Sequence, residues 1–170
     1  MDGNFQTKCL ADFDGNGFDD IVIYNEMGSV GIVSDAASYH DVWHVDDPSS
    51  NPWSLLGAGT FDPSIGQDSI LFKHTGNGHL YLWDNQGSDV GTWNWKQTDI
   101  GYLADGWEFA AIGDYDGDGR EDLLLREYDS GWGGLGYWSA GDCSAGDCSG
   151  WTELNAAIET NQNSNYIIVA

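Results

Sequence analysis

Three features of the chain predict an all-β protein built of four-stranded antiparallel units. A window of about twenty residues recurs three times, short apolar segments follow each copy, and 24 glycines supply the tight turns between them. No long stretch carries helical periodicity, and Trp151 to Thr160 is the one ambiguous stretch.

The recurring windows are FQTKCLADFDGNGFDDIVIY from Phe5, WSLLGAGTFDPSIGQDSILF from Trp53 and WEFAAIGDYDGDGREDLLLR from Trp107, and they align without a gap at periods of 48 and then 54 residues. An aromatic residue opens each window, a small residue follows six positions later (Ala11, Gly59, Gly113), and an aspartate closes the loop (Asp20, Asp68, Asp122). After the loop come a first apolar run (Ile21 to Tyr24, Ile70 to Phe72, Leu123 to Leu125) and a glycine-containing turn. A second run follows (Val30 to Val33, Leu80 to Trp83, Leu135 to Trp138), then a last aromatic segment around Val42 to Val45, Thr92 to Trp95 and Trp151-Thr152. Four short strands recurring at this spacing are the signature of β-propeller blades. The expected division is 1–52, 53–106 and 107–164 for three units, with 165–170 as the first strand of a further one. About three units cannot close a ring of four to eight blades. A larger array, or self-association to complete a propeller, is therefore expected.

The loop between the first two strands carries the chemistry. It reads Asp12-Phe13-Asp14-Gly15-Asn16-Gly17-Phe18-Asp19-Asp20 in unit one and Asp114-Tyr115-Asp116-Gly117-Asp118-Gly119-Arg120-Glu121-Asp122 in unit three. Oxygen-bearing side chains at positions 1, 3, 5 and 9 turn toward one centre, and the intervening glycines permit the sharp bend. The candidate ligands are Asp12, Asp14, Asn16 and Asp20, and Asp114, Asp116, Asp118 and Asp122, with the backbone carbonyls of Phe18 and Arg120 as a fifth ligand in each loop. Hard oxygen donors in a flexible loop suit Ca2+ better than Mg2+ or zinc. Asp, Asn and Gly are also ordinary turn formers. Yet four carboxylates in nine residues are costly without a cation, since a close like-charge pair costs up to about 4 kcal/mol at an effective dielectric near 20. An EF-hand is excluded because position 12 is Ile23 or Leu125 inside a β-type run, where an acidic ligand and a helix would be needed. Unit two offers only Thr60, Asp62, Ser64 and Asp68, with Pro63 in place of a glycine, so its loop is expected to be empty or weak. About two bound Ca2+ ions are expected in all.

This pattern, W-x-x-x-x-x-G-D-[FY]-D-G-[DN]-G-x-[DE]-D-[IL] followed by a short strand, resembles the FG-GAP/VCBS family of integrin-α-type propeller repeats. The resemblance covers nearly the whole chain. It implies a propeller fold, Ca2+ in the acidic loops, a secreted or cell-surface setting, and a role in adhesion or protein recognition. It does not choose the ligand.

Charge narrows the partners. With 28 acidic residues against five basic ones and a formal net charge of −23, the chain lacks the cations that a nucleic-acid backbone or an anionic membrane surface requires. No apolar run approaches the ~20 residues of a membrane span. Met1 to Asn4 shows none of the basic and apolar regions of a signal peptide, so the expected export signal lies outside this chain. An extracellular protein is the first partner class, and a glycan is the alternative, because aromatic faces pack on sugar rings. Trp43, Trp93, Trp95, Trp132 and Trp151 are the candidate ligand-facing aromatics, whereas Trp53, Trp83, Trp107 and Trp138 repeat along the units and read as packing residues. A non-catalytic domain of a larger secreted enzyme is a further alternative. His40, His44, His74 and His79 form no recognisable triad or zinc pattern, and no catalytic residues are assigned. Cys143 and Cys148 sit in a tandem duplication (SAGDC, SAGDC) that leaves a local disulfide open.

Overall fold

The structure is a computed structural model that describes residues 4–35, 38–43, 47–87, 94–103, 105–128, 135–139 and 152–154, with the backbone alone at 48, 135–139 and 152–154. The expected strand opening at 165–170, the cysteine pair Cys143 and Cys148, and His44, Trp93, Trp132 and Trp151 lie outside the described residues.

Among the described residues, twelve strands form three four-stranded antiparallel sheets. Sheet one runs β1 (Gln6–Ala11), β2 (Asp20–Tyr24), β3 (Val30–Ser34) and β4 (Ser38–Trp43). Sheet two runs β5 (Trp53–Gly59), β6 (Ser69–His74), β7 (His79–Asn85) and β8 (Trp95–Tyr102). Sheet three runs β9 (Trp107–Gly113), β10 (Asp122–Glu127), β11 (Leu135–Ser139) and β12 (Thr152–Leu154). Each sheet is a meander in chain order, as expected for strands joined by short turns. Among the described residues there is no closed barrel or ring, and no helix long and apolar enough to cross a membrane.

The first strand of every sheet carries a β-bulge at the same place. Pairing with the second strand skips Lys8, Leu56 and Ala110. A bulge increases local twist and bends its strand, so the first strand of each sheet is bent at the same place.

Register corrects one expectation. Ala11 pairs with Asp20 and Gly113 with Asp122, but Gly59 pairs with Ser69. Loop two is therefore one residue longer than its neighbours, and the windows do not align without a gap. Ser69, not Asp68, stands where Asp20 and Asp122 stand, and all three side chains are fully buried. A one-residue shift inverts which face a strand residue occupies. Once it is applied, Ile21, Ile70 and Leu123 share one face of their sheets, and Val22, Leu71 and Leu124 share the other.

The sheets then stack front to back. Val22 and Ile32 of sheet one pack on Ile70, Phe72 and Trp83 of sheet two. Leu71 and Leu82 of sheet two pack on Leu123 and Leu125 of sheet three. The first strands lie side by side, β1 next to β5 and β5 next to β9. Edge strands follow the sequence less closely. An aromatic segment ending at Trp95 is expected, whereas β8 begins there and continues through the polar run to Tyr102. Backbone pairing with β7 carries that edge through its polar positions, and Ile100 anchors it in the core.

Candidate metal centre

Loops one and three are built alike from the backbone upward. In loop three, Asp114 accepts from three successive amides: Gly117 N (2.7 Å) and Asp118 N (3.1 Å) on Oδ1, and Gly119 N (3.0 Å) on Oδ2. In loop one, Asp12 accepts from Gly15 N (2.8 Å), Asn16 N (3.2 Å) and Gly17 N (2.8 Å) in the same order. These amides point inward because the glycines at positions 4 and 6 sit at left-handed φ: 75° and 86° in loop one, 80° and 86° in loop three. A side chain at such a φ would strain the turn. Position 3 accepts from the amide of position 5 (Asp14 from Asn16, Asp116 from Asp118, each 3.1 Å). Position 5 in turn accepts from that of position 7 (Asn16 from Phe18, 2.7 Å; Asp118 from Arg120, 2.9 Å).

The ninth residue closes each loop from below. Asp122 Oδ2 accepts from Tyr115 N (2.8 Å) and Asp116 N (3.3 Å). Asp20 divides its oxygens between Phe13 N (3.2 Å) and Asp35 N (3.2 Å). Asp35, a residue without a signal in the repeat pattern, adopts φ 49° and also accepts from Asn16 Nδ2 (3.1 Å). Burial pushes the Asp20 carboxyl above its ordinary pKa, its two backbone donors act in the opposite sense, and Asp14 and Asp35 raise it further. The fully buried ninth carboxylate is thus a group whose charge a cation would stabilise.

In loop three the convergence is direct. Asp114, Asp116 and Asp122 each present a carboxylate oxygen, all within 4.8 Å of one another, a group placed to hold a metal ion. Asp118 contributes its backbone to the turn and lies near Arg120, with Arg120 Nε 3.9 Å from its Oδ2. Beside the group, Glu121 is raised above the usual carboxylate range by burial first and then by Asp114, Asp68 and Asp122. Negative charge is therefore concentrated in and around this loop.

Loop two departs from both. Pro63–Ile65 form a 3₁₀ turn capped by Asp62, whose Oδ1 accepts from Ser64 N (2.9 Å) and Ser64 Oγ (2.6 Å). Thr60 Oγ1 donates to Asp68 Oδ1 (2.5 Å), and Asp68 Oδ2 accepts from Asp12 N (2.8 Å) of unit one. Asp68 is consequently a link between units and not a ninth ligand. The carboxylate missing at Ser69 reappears on the neighbouring strand, where buried Asp84 accepts from Ser69 Oγ at 2.6 Å. A sequence comparison confined to the loop cannot find Asp84, because it belongs to β7.

Two of the candidate ligand-facing aromatics are packing residues. Trp43 meets Trp83 and Trp53 edge-on (5.9 and 6.5 Å) and donates from Nε1 to Asn51. Trp95 packs on Phe13 at 5.9 Å, so both rings lie between sheets one and two. The histidines are scattered: His40 Nε2 lies 3.2 Å from Ser34 Oγ, His74 stacks edge-on with Trp53, and His79 pairs with Asp99 at 2.9 Å. Compared with known proteins, the chain matches no family model, no curated protein and no solved structure.

Proposed function

We propose that the chain is a calcium-binding β-propeller repeat module that serves extracellular adhesion or protein recognition. The observation that carries the metal reading is the convergence of Asp114, Asp116 and Asp122 within 4.8 Å, in a loop whose turn geometry unit one repeats. Carboxylate and carbonyl oxygens in an adaptable loop favour Ca2+. Asp114, Asp116, Asp118, Asp122 and the Arg120 carbonyl would hold it in unit three, and Asp12, Asp14, Asn16, Asp20 and the Phe18 carbonyl in unit one. The propeller reading is supported by the front-to-back stacking of four-stranded sheets with their first strands adjacent. Recognition of a partner protein follows from the resemblance to adhesion repeats. Bound Ca2+ would fix the loops in one arrangement and present a rigid surface.

Calorimetric titration of the folded chain tests the metal. About two sites are expected, one lost with Asp116→Asn and the other with Asp14→Asn. At a hundredfold excess over Kd, binding to the native state alone adds about 2.7 kcal/mol of stability per site, seen as a higher melting temperature than in chelator. Absence of both heat and thermal shift would remove the proposal.

A further inference from the structure

Loop one is held from outside its own unit. One residue of unit two grips the Asp12 peptide on both sides: Asp68 Oδ2 accepts from Asp12 N at 2.8 Å, and Asp68 N donates to Asp12 O at 2.7 Å. Thr60 Oγ1 donates to the other carboxylate oxygen of Asp68 at 2.5 Å, which fixes the orientation of the grip. One residue further on, Asn85 Nδ2 donates to Phe13 O at 3.0 Å, and the Phe13 ring is fully buried among side chains of sheets one and two. Two successive residues at the start of loop one therefore take their direction from unit two.

The rest of loop one turns on Asp12. Its carboxylate accepts from the amides of Gly15, Asn16 and Gly17, and it is the first ligand of the set assigned to this loop. A ligand is aimed only as well as its own backbone is held. Removing the outer partners that orient metal ligands costs roughly 10- to 100-fold in affinity. Asp68 stands in that relation to Asp12.

We infer that Asp68 is a positioning residue for the loop-one cation site: it supplies no ligand, and it sets the direction from which Asp12 enters the coordination shell. The inference rests on the calcium reading of loop one. By it, the unit whose own loop departs from the ligand pattern acts on its neighbour's site. Linkage is reciprocal, so an ion that holds Asp12 in place also strengthens the contact between units one and two.

Charge has to be separated from hydrogen bonding, because Asp68 also acts on Glu121 beside loop three. Loss of the Asp68 charge weakens cation binding at both loops, whereas loss of its acceptor acts on loop one alone. Asp68→Asn removes the charge but keeps an oxygen for Asp12 N, and its amide can donate to Thr60 Oγ1, since a hydroxyl accepts as well as donates. Asp68→Ala keeps neither bond.

Calorimetric titration with Ca2+ reads each loop by itself when the other is disabled: Asp116→Asn leaves loop one, and Asp14→Asn leaves loop three. In the Asp116→Asn chain, Asp68→Ala is expected to bind about tenfold more weakly than Asp68→Asn. In the Asp14→Asn chain the two Asp68 variants are expected to bind alike. Circular dichroism in chelator checks folding. Should Asp68→Ala unfold, Thr60→Val carries the test with every charge intact: it frees the Asp68 carboxylate and is expected to weaken loop one about threefold and loop three not at all. Equal affinities of Asp68→Ala and Asp68→Asn in loop one would overturn the inference and leave the calcium reading standing. The same gap between them in both loops, or a Thr60→Val chain with loop one unchanged, would do likewise. An Asp116→Asn chain that takes up no Ca2+ would instead remove the calcium reading of loop one, and the inference with it.

Discussion

Loops two and three connect the same pair of strands yet solve the turn in opposite ways. Loop three gathers carboxylates: three amides fold onto Asp114, two onto Asp122, and the oxygens of Asp114, Asp116 and Asp122 converge. Loop two ties its polar groups into side-chain hydrogen bonds, within the loop and to unit one. Pro63 has no amide hydrogen to donate where Gly117 donates, the chain takes a 3₁₀ turn, and Asp62 becomes its cap. The extra residue moves Asp68 out of the ninth place and into a bond with Asp12. The lesson is that one strand connection can be held by cross-linked side chains or by converging carboxylates, and that a proline, an inserted residue and the replacement of three aspartates by Thr60, Ser64 and Ser69 separate the two.

The largest expected contrast comes from the residue that closes each loop. Asp122→Ala leaves the Tyr115 and Asp116 amides without their acceptor and is expected to cost about 2 kcal/mol in chelator. Ser69→Ala, its counterpart, removes one hydroxyl donor to Asp84 and is expected to cost about 1 kcal/mol. Urea unfolding midpoints measure both. Repeating them in Ca2+ sharpens the comparison, because the deficit should grow for Asp122→Ala and stay fixed for Ser69→Ala. Equal growth in the two would break it.

A smaller contrast lies in the backbone. Gly117 has φ 80°, and no atom within 4 Å would meet an added Cβ, so Gly117→Ala isolates conformational strain. A loss of about 1 kcal/mol is expected, with a weaker Ca2+ affinity by calorimetry since the turn that aims Asp114 is strained. Gly66 in loop two has φ 69° and is equally unobstructed. Gly66→Ala should lose similar stability with no effect on the metal. If both substitutions weaken Ca2+ equally, loop two takes part in binding after all.

Much of this was legible in the sequence, for identifiable reasons. The apolar runs of β2, β6 and β10 and the glycine-spaced acid loops announce themselves because burial and positive φ each restrict residue choice. An all-β chain of four-stranded antiparallel sheets follows from them. What stayed hidden depends on pairing. The insertion in loop two shows only in Gly59 facing Ser69; composition at Asp68 argues for the opposite register. The edge strand through Asp99 and Tyr102 has little apolar signal, since hydrogen bonds to β7 and the single buried side chain of Ile100 hold it. Asp84 takes over a carboxylate's place from the adjacent strand, a relation that exists only across the ladder.

That displaced carboxylate yields the smallest prediction and the one with the clearest sign. Burial raises the Asp84 carboxyl above its ordinary value; the Ser69 hydroxyl and Lys96 act in the opposite sense, and Asp62 adds to the rise. A carboxyl whose folded pKa exceeds its unfolded pKa binds more protons in the native state as pH falls through that window. Stability attributable to Asp84 therefore increases on acidification between the two values and is lost again as pH rises above the folded one. Asp84→Asn keeps an acceptor for Ser69 Oγ and removes the buried charge. In chelator at neutral pH it should match or slightly exceed the wild-type melting temperature, and the difference should shrink as pH enters the carboxylate range. A variant less stable at neutral pH, with a deficit independent of pH, would mean that the Asp84 charge is compensated in the fold, and that β7 holds its buried carboxylate as securely as loop three holds its own.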